Sequence, residues 1–93
     1  LPPQVRIEAP PSAARGGSVE VRVVGDVGER MTVTLVPAGS PDSTFANPFF
    51  YLSQGAEDRG MLRNLPVQAG DYEIRCKSDW GDRVYARHAI RLQ

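Results

Sequence analysis

Ninety-three residues, 41% apolar and 24% charged, are enough for one folded domain with one core, but not for an enclosed catalytic cavity beside it. Eleven Lys and Arg balance eleven Asp and Glu, so the chain lacks the cationic excess with which nucleic-acid binders neutralise phosphates. A single cysteine, Cys76, excludes an internal disulfide and a multi-cysteine zinc site, and no apolar run is long enough to insert this segment in a bilayer.

The dominant period is two, the mark of half-buried strands. Val5, Ile7 and Ala9 alternate with Gln4, Arg6 and Glu8 until Pro10 and Pro11 stop the run. After a turn at "ARGG" (14–17), Val19, Val21 and Val23 alternate with Glu20 and Arg22, and "GDVGE" (25–29) reads as the next turn. Met31, Val33 and Leu35 alternate with Thr32 and Thr34 up to Pro37. The longest irregular piece, "PAGSPDSTFANP" (37–48), leads into a short aromatic strand, "PFFYL", mostly core with one or two rings at the rim. "QGAEDRG" (54–60) reads as a turn, and "MLRNLP" as a strand with Met61 and Leu65 inward. "DYEIRCK" places Tyr72, Ile74 and Cys76 on one face, "DWGD" (79–82) turns, and Val84, Ala86, Ile90 and Leu92 face the core from the last strand. Strict alternation turns His88 inward as well, and a bulge near residues 87–89 is the expected device for keeping it at the rim. Seven strands with frequent turns and no helical period predict an all-β sandwich with Greek-key connections, a single domain over residues 1–93.

Few residues invite a chemical role. Gly70-Asp71-Tyr72 is the sequence of a tyrosine corner, in which the phenol bonds back to the backbone as the chain enters a core strand. Cys76 alternates with that strand's inner positions and reads as a small buried hydrophobe. A nucleophilic role would require His88 as its base and a lowered thiol pKa. Asp26, Glu29, Asp42, Asp71, Asp79 and Asp82 lack the spacing of a dedicated metal loop, so no metal or other cofactor is expected. Two surface features stand out. Trp80, at the tip of the last hairpin, is either an interface anchor or a lid folded over the sandwich end. Arg75, Lys77, Arg83, Arg87 and Arg91 form an outward basic stripe with Glu73 and Tyr85, either a surface for an acidic partner or a solvated face that blocks edge pairing.

Four segments in order, "APPSAARGGSVEV" (9–21), "VPAGSPD" (36–42), "GDYEIR" (70–75) and "VYARHAIRL" (84–92), resemble the immunoglobulin-like β-sandwich modules that follow von Willebrand A domains in some bacterial proteins. The resemblance covers nearly the whole chain. It departs at Val23, where the family often carries Trp, at Arg30–Met31, where Asp-Tyr is common, and at Cys76, where Tyr commonly follows. Roles tied to those aromatics do not carry over. The resemblance implies a bacterial module but carries no biochemical role over residue by residue. The start at Leu1 reads as a domain excised from a longer protein or a processed form, periplasmic or at the cell surface, and one histidine, one cysteine and no metal motif point to a non-catalytic module. Such a module would bind or space a neighbouring domain or protein, with Trp80, Tyr85, Arg75, Arg83 and Arg87 as the contact residues. The alternative class is a carbohydrate- or calcium-binding accessory domain.

Overall fold

The computed structural model describes residues 4–27, 31–44, 46, 48–53, 55–78 and 83–93. It is all-β, with no helix among the described residues, and its strands form two sheets. In chain order they are β1 (Val5–Glu8), β2 (Ser12–Ala13), β3 (Val19–Val27), β4 (Met31–Pro37), β5 (Phe49–Tyr51), β6 (Gly55–Leu62), β7 (Gly70–Ser78) and β8 (Val84–Leu92). One sheet has the order β1-β3-β6 and the other β2-β8-β7-β4-β5. All pairings are antiparallel except β2 with β8.

The described residues form eight strands, not the seven expected from the period. The added strand is β2. Pro10 and Pro11 have no N–H with which to continue the β1 ladder, and the chain passes to the other sheet. There the Arg91 N–H donates to the Pro11 carbonyl and the Gln93 N–H to the Ala13 carbonyl, both at 3.0 Å. Two residues are too few to show a period.

Two expected turns contain strand. Gly25, Asp26 and Val27 continue β3 through a register shift between Val24 and Val27. Gly25 sits at φ 122°, and a Cβ there would lie 2.2 Å from the Gln4 carbonyl oxygen, so the close approach of the chain entering β1 to its neighbour β3 requires glycine. The second is β6, over most of the segment read as a turn. Its inner positions, opposite Val23, Val21 and Val19, are Asp58, Gly60 and Leu62. Two of those three are not apolar, so no alternation marks the strand. Met61, expected inward, points outward and is 40% exposed, while Leu62 is fully buried. A shift of one residue exchanges the faces of a strand. Gly60 makes room for the Phe50 ring, whose nearest atom would be 2.6 Å from an added Cβ.

Between the sheets lie Val19, Val21, Val23 and Leu62 from one side, and Met31, Val33, Leu35, Ile74, Cys76, Ile90 and Leu92 from the other. Full burial of each such aliphatic side chain contributes about 1.5–3 kcal/mol. The bulge in β8 lies opposite Cys76 and Lys77, not at residues 87–89. His88 therefore keeps its alternation, opposite Ile74, and its Nε2 sits 3.0 Å from the Pro10 carbonyl oxygen at the sheet margin.

Strand β4 is buried on both faces: Thr32, Thr34 and Val36 on its outer side are each 0% exposed. The connection from β4 to β5 folds back across the outer face of the five-stranded sheet as a strap.

Candidate functional site

The strap decides the fate of the basic stripe. On β7, Arg75 and Lys77 lie opposite Thr34 and Thr32 of β4, on the outer face. Arg75 is 1% exposed and Lys77 0%. The expectation of a solvent-facing stripe fails at these two residues because the strap covers them and supplies carbonyl acceptors. Arg75 donates from Nη1 to the Pro41 carbonyl at 2.7 Å, from Nη2 to the Ser40 carbonyl at 2.5 Å, and from Nε to Glu73 at 2.5 Å. Lys77 Nζ donates to the Thr44 carbonyl at 2.9 Å, and Thr34 Oγ1 to the Ala46 carbonyl at 2.6 Å. Buried cations need such partners, since desolvation penalises an unpaired charge by several kcal/mol. Thr32 Oγ1, also beneath the strap, has no hydrogen-bond partner among the described residues.

The rest of the stripe is divided. Arg87 donates to Asp42 of the strap at 2.7 Å and to Glu73 at 3.1 Å, and Arg91 to Asp71 at 3.0 Å. Burial works to raise the Glu73 pKa, but the hydrogen bonds from Arg75 and Arg87 outweigh it and hold the carboxyl below its usual range. The hydrogen bond from Arg87 likewise holds Asp42 low. Arg83 is exposed. Tyr85, expected on the outer face with the arginines, is partly buried and packs on the core beside Ala86, because the β8 bulge rotates it away. Trp80 lies outside the described residues, as do Glu29, Asp79 and Asp82.

At the corner before β7, the Tyr72 hydroxyl donates to the Gln68 carbonyl at 2.9 Å and Gly70 takes φ 152°. The Asp71 carbonyl accepts from Ala38 N–H at 3.1 Å, which ties the corner to the start of the strap. Cys76 is fully buried, and burial pushes its thiol up to about 12. In register Cys76 faces Ala86, whereas His88 faces Ile74. No group of three or more His, Cys, Asp or Glu gathers around a metal-sized site among the described residues.

Of the four large apolar side chains exposed among the described residues, Val67 stands near Gly16, and the other three, Phe49, Tyr51 and Met61, lie where β5 and β6 form neighbouring sheet edges. Phe49 and Tyr51 alternate with the inward Phe50 and are 39% and 56% exposed. Their ring centroids are 5.8 Å apart, and the planes meet at 85°. Next to them a groove of about 440 Å³ is lined by Pro48, Phe49, Met61, Arg63 and Asn64. Asn64 adopts φ 55°, a left-handed conformation that Asn tolerates, and so turns the chain sharply after β6. "PFFYL" carries the alternation that splits Phe50 from Phe49 and Tyr51. Met61 is out of phase with the period that was read for it.

Comparisons with protein-family models, with curated proteins and with solved structures return no match to this chain.

Proposed function

We propose that the chain is an immunoglobulin-like, Greek-key interaction module, non-catalytic, of the kind that follows von Willebrand A domains, and that it binds or spaces a neighbouring protein or domain. The order β1-β3-β6 facing β2-β8-β7-β4-β5 and the Tyr72 corner support the fold reading. The contact surface is the β5–β6 edge in place of the β7–β8 face. The observation that carries this is the exposure of Phe49, Tyr51 and Met61 on one side of the molecule. Large apolar side chains left together in water mark an interaction site, and aromatic residues dominate binding energy at interfaces. The β7–β8 face is less suited, because its two central cations are already committed to the strap. A carbohydrate-binding role fits less well: the 85° angle between the two rings gives no flat stacking platform.

The test places a photoreactive benzoylphenylalanine at position 51 of the parent protein in its own cell, and separately at position 22 on the charged face. A discrete cross-linked protein at position 51 and none at position 22 is expected. No adduct at position 51 sinks the reading. Glycan-array binding that is lost in Tyr51→Ala would move the protein to the accessory class.

A further inference from the structure

The described arginines divide into two sets. Arg6, Arg22, Arg75, Arg87 and Arg91 each pair with a carboxylate of this chain. Arg15, Arg59, Arg63 and Arg83 make no ion pair among the described residues. Two of these four flank the exposed groove. Arg63 lines it, and Arg59 stands two residues before Met61 on the outward side of β6. The acid nearest in register is Glu20, opposite Met61, and it pairs with neither. The groove thus has an apolar floor of Pro48, Phe49 and the adaptable Met61 thioether, with Arg63 in its wall and Arg59 two residues before Met61 on the same face of β6, neither of them in an ion pair among the described residues.

We propose that this groove binds an extended, acidic segment of a partner protein, with one apolar side chain seated on Phe49 and Met61 and carboxylates reaching Arg59 and Arg63. The inference rests on the interaction-module reading above and names the chemistry of its partner. Arg59 and Arg63 are four residues apart along nearly extended backbone, about 13 Å at the usual rise of ~3.3 Å per residue. An extended ligand meets that spacing with carboxylates four positions apart and the apolar residue midway, in the order acid, any residue, apolar, any residue, acid. Arginine suits this role because its planar fork takes a carboxylate through two parallel hydrogen bonds.

The test is selection of random twelve-residue peptides displayed on phage against this chain, followed by amide chemical-shift mapping and titration of the enriched peptides at two salt concentrations. Expected are sequences with the acid-spaced pattern, shifts concentrated at Phe49, Met61, Arg63 and Asn64, and weaker binding in higher salt. Arg59→Glu and Arg63→Glu should each weaken binding by roughly tenfold, with Arg63→Gln intermediate and Arg15→Glu unchanged. Neutral or basic peptides that map to the groove overturn the acidic-partner inference and leave the interaction reading standing. No enrichment, or shifts confined to the β7–β8 face, overturns both.

Discussion

The outer faces of the two sheets are built from the same kind of residue and end in opposite states. On the three-stranded sheet, Arg22 bridges Glu8 and Glu57, and Arg6 reaches Glu8, with every side chain between 39% and 71% exposed. On the five-stranded sheet, Arg75 also meets a glutamate, but its side chain is 2% exposed and its guanidinium is completed by carbonyls of the strap. Alternation assigns a side chain to a face of its sheet. Whether that face meets water is decided by a separate segment, here the β4–β5 connection. Exposed pairs gain little because water competes for both ions. The covered one cannot be broken without leaving buried polar groups unpaired.

The largest test of this contrast is Arg75→Met against Arg22→Met. Removing Arg75 strips donors from Ser40, Pro41 and Glu73 and should cost about 3–5 kcal/mol in urea unfolding. Removing Arg22 should leave the midpoint close to wild type. Equal losses would mean that the strap is not a sealed layer. Next comes Gly60→Ala, where the two sheet edges meet over the Phe50 ring. Overpacking there should cost about 1–3 kcal/mol, and Phe50→Leu in the same molecule should recover part of it. A finer pair lies on one face of β4. Thr34→Val removes the donor to the Ala46 carbonyl and should destabilise by about 1 kcal/mol. Thr32→Val removes a buried hydroxyl that has no partner and should be neutral or stabilising. Two identical substitutions two residues apart are thus expected to differ in sign or to come close to it. The smallest effect is a pH dependence. The folded-state pKa of Glu73 is lowered, so its contribution is fully present above its ordinary value of 4.5 and is lost as pH falls through the folded value. The stability gap between wild type and Glu73→Gln should close in that acid range, measured by urea midpoints at several pH values. A gap that is constant down to the acid-unfolding limit would contradict the pairing with Arg75 and Arg87.

Much of the sandwich was legible because valine alternates cleanly in β3, and Ile74, Cys76, Ile90 and Leu92 alternate in β7 and β8. Strand β6 was not, since its inner positions Asp58 and Gly60 are chosen to fit a neighbouring ring and a nearby backbone, and neither choice leaves a periodic trace. The Ser53 N–H donates to Asp58 Oδ2 at 2.6 Å, a local use of a half-buried residue's carboxylate that no pattern announces. The basic stripe was read on the correct face at Arg75 and Lys77 and with the wrong neighbour. Carbonyl oxygens carry no side-chain signature, so a loop that coordinates cations through its backbone is invisible in sequence. The aromatic content of "PFFYL" was visible, but only the position of β5 at a sheet edge leaves Phe49 and Tyr51 in water.

The strap also has a consequence for how the gene can change. Connections at a protein's surface ordinarily absorb insertions and deletions with little effect. Here the carbonyls of Ser40, Pro41, Thr44 and Ala46 meet fixed donors on Arg75, Lys77 and Thr34. One residue added between Pro41 and Thr44 would carry every later carbonyl out of step with its donor. Any sequence descended from the same ancestor that keeps Arg75 and Lys77 should therefore hold this stretch to constant length while its chemistry drifts, a conserved gap spacing in place of a conserved motif.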